Sequence, residues 1–191
     1  LAPIAEYPEI QFSLKMRLGW ENASECMVLV ELLNTLRLSR IALHARTGKQ
    51  QYKGHPDLEA FQGFYELCQH PLYYNGGIES LSDIRQILIR FPLLKGVFIG
   101  RGLLSSPLLA KEFKGNETFL PEQRMSIYFA FHEELFSAYS QVLQGETQLL
   151  VKMKTLWEYF LPETDRKLLK RIKKSTRLQQ YTESVKAIFT S

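Results

Sequence analysis

The chain has 191 residues, 45% of them apolar and 12% aromatic, and 24 Lys/Arg against 20 Asp/Glu leave a net charge of +4. This excludes a disordered chain and allows one good core, or one core with a small second domain. No apolar run approaches the ~18 to 20 residues of a membrane helix, and the opening LAPIAEYPEI has neither the basic start nor the long apolar stretch of a secretion signal, so a cytoplasmic protein with no membrane partner is expected.

Taken in chain order, FSLKM (12–16) reads as a strand and is followed by a helix near 23–38. RIALH (40–44) and a helix near 57–69 come next, then PLYYN (71–75) with a helix near 81–90, then GVFIG (96–100) with a short helix. Strands apolar throughout and separated by helices predict a parallel sheet covered by helices. After about residue 115 the strand signal ends. One long helix is expected from Pro121 to Gly145, with Ile127, Phe131, Leu135 and Tyr139 at helical spacing. A second ends at Pro162, a third is capped by Thr164, and LQQYTESVKAIF makes a fourth. The expected architecture is α/β over residues 1–115 and an all-α helical bundle over 116–191. Cys26 and Cys68 match no metal-ligand spacing and read as small buried hydrophobes on helices, so neither a metal nor a disulfide is expected.

In parallel α/β folds chemistry gathers at the carboxyl ends of strands. Lys15 and Arg17 end the first strand, His44 the second, Asn75 the third and Gly100-Arg101 the fourth. NGGIESLSDI sets Gly76 and Gly77 before a helix start, where backbone N–H groups can approach an anion, and Glu79 to Asp83 supply caps. GRGLLSSP repeats the device with a guanidinium. In a (β/α)8 barrel the loops after the seventh and eighth strands form the usual phosphate site, so strands five to eight would bring a phosphate with them.

Charge is uneven. Residues 1–151 hold 14 Lys/Arg against 16 Asp/Glu, and residues 152–191 hold 10 against 4. From Arg166 to Arg177 seven of twelve residues are basic and none is acidic. Lys167, Lys170, Arg171 and Lys174 follow i, i+3, i+4, i+7 spacing and share one helix face, which suits a phosphate backbone; Leu168 and Ile172 fall on another. Lys152, Lys154 and Tyr159 are candidates to extend this patch. A solvated helix face is the competing reading.

Four segments together, LKMRLGW (14–20), LHARTGKQQYKG (43–54), YYNGGI (73–78) and GVFIGRGLLSSPLL (96–109), resemble successive motifs of the tRNA-dihydrouridine synthase family. The resemblance covers roughly residues 11–113 and, in kind, the helical tail. It implies a TIM barrel followed by a helical tRNA-binding domain, with FMN as cofactor and NADPH as reductant. It further implies hydride transfer to a tRNA uridine that has been flipped out of its stack. Lys15 would contact the flavin ring, and His44 would lie beside the flavin and its phosphate tail. Asn75, Gly76, Gly77, Gly100 and Arg101 would bind the phosphate. Arg17 and Arg46 would be on the substrate side, unless they simply pair with Glu21 or Asp57.

Ala45 stands where the family has Gly, and Gly77 where it often has an acidic residue. The family's first flavin loop and its proton-donating cysteine match nothing here, so no catalytic residue is assigned and the chain reads as strands five to eight plus the C-terminal domain. Half a barrel exposes two sheet edges. Either the other half belongs to sequence outside this chain or two copies pair as a homodimer, and the part alone would be inactive and bind FMN poorly. Two other classes stay open: a flavin- or phosphate-binding TIM-barrel oxidoreductase acting on a small molecule, and a non-catalytic RNA-binding module.

Overall fold

The computed structural model describes residues 6, 7 and 9–190. The chain divides into two compact units, Leu1–Gly100 and Arg101–Ser191. The sequence boundary after residue 115 lies fifteen residues later, because residues 101–115 look like one more helical turn of the α/β rhythm. In fact Leu108 belongs to the helical core, Ser106 hydrogen bonds Tyr128 at 2.7 Å, and the buried Glu112 pairs with Arg124 at 2.8 Å.

The first unit is a parallel sheet in the order β1 (Phe12–Gly19), β2 (Leu38–Thr47), β3 (Leu72–Asn75), β4 (Gly96–Phe98). Helices α1 (Glu25–Asn34), α2 (Leu58–Leu67) and α3 (Leu81–Arg90) connect them. A strand order that equals the chain order, with crossovers of one hand, puts successive helices on one face of a sheet, as in a barrel segment. Core contacts bear this out: Tyr74 of β3 meets Phe61 of α2 edge-on at 4.9 Å, Phe61 meets Phe91 at the end of α3 at 5.0 Å, and Ile41, Leu43, Ile84 and Val30 are buried with them. α1 stops at Asn34, short of the expected 38, because Leu38 pairs with Phe12 to open a β2 long enough to match β1. Cys26 is buried on α1 as expected, whereas Cys68 is the half-buried cap residue after α2.

The second unit contains α4 (Arg101–Ser105), α5 (Leu109–Gly115), α6 (Pro121–Val142), α7 (Glu146–Leu156), α8 (Arg166–Lys174) and α9 (Leu178–Phe189). Its core joins Tyr128, Leu149, Met153, Trp157, Phe160, Ile172, Tyr181 and Val185. At the centre the Tyr181 hydroxyl accepts the Trp157 indole N–H at 2.9 Å and lies 2.6 Å from His132 Nε2. With Trp157 as donor, the hydroxyl proton goes to His132. Burial pushes the His132 pKa below its ordinary value, against the pull of Glu133, so the imidazole is neutral. α8 is capped by Asp165, whose carboxylate accepts from Lys167 and Leu168 N–H at 2.8 and 3.2 Å, and not by Thr164: a carboxylate at the residue adjoining the first turn meets two amides at once. Among the described residues no helix is long and apolar enough to cross a membrane.

Candidate functional site at the carboxyl ends of the strands

Register brings Arg17, His44, Asn75 and Phe98 into one row across the sheet, with Lys15, Ala42, Tyr73 and Gly96 two residues earlier. Paired residues in register share a face, and side chains two apart on a strand do too. Tyr74 and Leu43 face the helices, so Lys15, Arg17, His44 and Asn75 stand together on the opposite face at the carboxyl ends. Lys15 is exposed and Arg17 and Asn75 are half-buried, while His44 and Arg46 are 7% and 4% exposed.

Asn75 donates its side-chain N–H to the Phe98 carbonyl at 2.8 Å, tying the last residue of β3 to that of β4. Gly76 and Gly77 follow with φ of 142° and 57°, backbone that L side chains avoid. A Cβ on Gly77 would stand 2.9 Å from Pro56 Cγ, and one on Gly76 would stand 3.2 Å from the Tyr74 hydroxyl and 3.4 Å from the His44 ring. The glycine pair is therefore demanded by the turn itself. Burial pushes the Tyr74 hydroxyl up to about 12, against the opposing Arg46 charge, so it stays protonated. The caps of α3 close on themselves: the Asp83 carboxylate takes the Glu79 and Ser80 N–H groups at 3.0 and 2.8 Å, and Ser80 takes that of Asp83 at 3.1 Å. These are the caps expected of Glu79 to Asp83 from the sequence, and they leave those amides spent. Gly100 differs, since nothing lies within 4 Å of where its Cβ would be. Arg101 opens α4 in the second unit.

Arg17 and Arg46 are loop posts. Arg17 Nη1 donates to the carbonyls of Thr47 at 2.7 Å and Gln51 at 3.4 Å, and Arg46 Nη1 to Lys53 at 2.6 Å. Gln50 adds bonds to the Lys53 and His55 carbonyls at 2.9 and 2.8 Å. Of the carboxylates considered as partners, Glu21 pairs with Lys49 and Asp57 caps α2 through Ala60 N–H at 2.9 Å. Sequence reasoning missed Gln50 and also Glu25, which organises the 19–22 turn; an acidic residue in a first helical turn was the available signal. Burial raises both thiol pKa values, and Cys26 donates to the Ala23 carbonyl at 3.2 Å.

In the second unit, Lys167, Lys170, Arg171 and Lys174 line one groove between α8 and α9, joined by Gln180 and Glu183. All four cations are exposed, and Ile172 on the other side of α8 is fully buried. Lys154 does not extend the groove, because its ammonium donates to the Ser175 carbonyl; Lys152 sits 5.3 Å from the Tyr139 ring centroid.

The dihydrouridine synthase family model matches residues 5–190. This chain belongs to the dihydrouridine synthase family. Residues matching a probable tRNA-dihydrouridine synthase of Aquifex aeolicus are 35% identical over 105 residues, 55% of this chain and 33% of that protein. A probable tRNA-dihydrouridine synthase of Rhizobium leguminosarum bv. phaseoli is 34% identical over 100 residues, 52% of this chain and 31% of that protein. The tRNA-dihydrouridine(16) synthase of Escherichia coli is 28% identical over 110 residues, 57% and 35%. The chain thus spans about a third of the length of the curated relatives it matches.

Proposed function

We propose that this chain carries the cofactor-gripping strands and the tRNA-holding helices of an enzyme that reduces uridine to dihydrouridine in tRNA, acting in the cytoplasm. Its four strands stand for the fifth to eighth of a (β/α)8 barrel, with the remaining strands and the proton donor supplied from outside this chain. The observation that carries this reading is the row of Arg17, His44 and Asn75, with Lys15 two residues earlier, on the sheet face opposite Leu43 and Tyr74 at one end of a parallel sheet, where such folds place their ligands.

The residues fit FMN. The open space at Gly100 leaves room for a phosphate beside a backbone amide, the positive φ of the Gly76-Gly77 turn suits an anion-binding backbone, and an exposed Lys15 offers a cation to an electron-rich ring. FMN bound there supplies the hydride for the uridine C5–C6 double bond after NADPH has reduced it. Lys15 orients the ring and holds negative charge beside it. His44, beside the Tyr52 ring and the glycine turn, flanks the flavin and its phosphate, with Asn75, Gly76, Gly77 and Gly100 on the phosphate itself. Arg17 and Arg46 shape the loop that faces the uridine. The α8–α9 groove takes tRNA phosphates through Lys167, Lys170, Arg171 and Lys174, giving affinity without sequence readout. A small-molecule flavoenzyme would leave that groove idle, and a bare RNA-binding module would leave the strand-end row idle.

Flavin fluorescence titration tests the reading. FMN should bind more tightly than riboflavin, and Gly100→Asp, whose side chain enters open space, should abolish that difference. Equal affinity for the two flavins in the unsubstituted chain would overturn it.

A further inference from the structure

Trp20 directly follows β1 and is 65% exposed, although a ring of this size is ordinarily buried over most of its surface. Its backbone is fixed on both sides. The Glu25 carboxylate accepts the N–H groups of Trp20, Glu21 and Asn22 at 2.8, 2.9 and 2.7 Å, and these bonds, that of Asn22 foremost, hold the carboxyl below its ordinary pKa. The Trp20 carbonyl accepts Lys49 N–H at 2.9 Å. The indole lies on Gly48, where a Cβ would fall 2.3 Å from its Cε3 atom, so the loop is carved down to glycine to seat the ring while leaving it open to solvent. Tyr52, 61% exposed, belongs to the same loop, with the Arg17 guanidinium 5.9 Å from its ring centroid. Lys53 is exposed on the same loop, and Lys49, also exposed, pairs with Glu21.

We infer that Trp20 is a stacking platform for an unpaired RNA nucleobase, with Lys53 meeting an adjoining phosphate. The inference rests on the functional reading above, which brings a single-stranded stretch of RNA to this end of the sheet. A pre-seated aromatic ring with neighbouring cations has the chemistry of single-strand recognition: every base offers a π face, and the backbone is anionic. The rigid Glu25 and Lys49 contacts spare the ring an ordering cost on binding.

Only two tryptophans are present, and Trp157 is 2% exposed with its N–H given to Tyr181, so fluorescence of the solvent-exposed indole reports Trp20. Short oligouridylate should quench that component, and duplex RNA of equal length should not. Trp20→Ala should weaken oligouridylate binding, measured independently by anisotropy, by roughly 5- to 150-fold, the range for one stacked base. Trp20→Phe should restore most of the loss. Gly48→Ala, which displaces the indole without touching it chemically, should weaken binding as Trp20→Ala does; circular dichroism checks that each variant folds. Oligouridylate binding with an unmoved Trp20 signal, equal affinity in Trp20→Ala, or equal quenching by duplex would each overturn the platform while leaving the flavin result standing. No RNA binding at all would overturn it as well.

Discussion

Reversing two charges in the α8–α9 groove, Lys170→Glu with Arg171→Glu, separates a phosphate-binding surface from an ordinary solvated helix. Four exposed cations line the groove. If each neutralises one phosphate, the logarithm of affinity falls with the logarithm of salt at a slope of about −3.6, taking about 0.9 per phosphate. Between about 50 and about 200 mM salt the unsubstituted chain then loses roughly 150-fold in tRNA affinity, whereas the double variant, with two contacts left, loses roughly 12-fold. Filter retention of tRNA across a salt series gives both slopes. Both side chains are exposed and Ile172 anchors the opposite face of α8, so the bundle should survive, as circular dichroism can verify. Equal slopes in the two proteins would refute the assignment and return these residues to the role of C-terminal cations that complement the helix dipole.

Tyr181→Phe removes one hydroxyl and strands two buried groups, the Trp157 N–H and His132 Nε2; at about 1–3 kcal/mol for each unsatisfied group, urea unfolding should show a loss of roughly 2–6 kcal/mol, and a change below about 0.5 kcal/mol would contradict the hub. Because burial lowers the His132 pKa in the folded chain, the unfolded chain takes up the proton first. Stability from this group is therefore full above its ordinary value of about 6.5 and declines as pH falls below it. Relative to His132→Gln, the unsubstituted chain should lose stability on acidification, by at most about 1.4 kcal/mol per pH unit. Asp165→Ala should cost about 1 kcal/mol by thermal or urea unfolding through loss of the α8 cap, and Thr164→Ala should cost far less.

Much of this was legible in advance because local and global signals agree. Strand-end residues could be read from apolar runs such as RIALH and PLYYN, and a period-2 strand fixes which of Lys15, Arg17, His44 and Asn75 share a face once the register is known. The cationic stripe of α8 was legible for the same reason, since helical spacing alone puts Lys167, Lys170, Arg171 and Lys174 together. What sequence could not supply was partnership at a distance. For Arg17 and Arg46, nothing local shows that their guanidiniums reach backbone carbonyls 7 to 34 residues away. The same holds for Ser106, Glu112 and Leu108, whose tie to α6 moves the division of the chain from 115 to 100. Gly48 and Gly100 look alike on paper; one is crowded by an indole and the other faces open space.

If the carboxyl ends of these four strands grip the phosphate of FMN, as proposed, amide hydrogen exchange with and without saturating FMN should reveal it at those ends. Exchange should slow in the segments around residues 44–48, 75–78 and 98–100, and not at the amino ends near Phe12, Leu38, Leu72 and Gly96. At FMN concentrations that saturate the fluorescence titration, protection at those amino ends, or at neither end, would contradict the proposal.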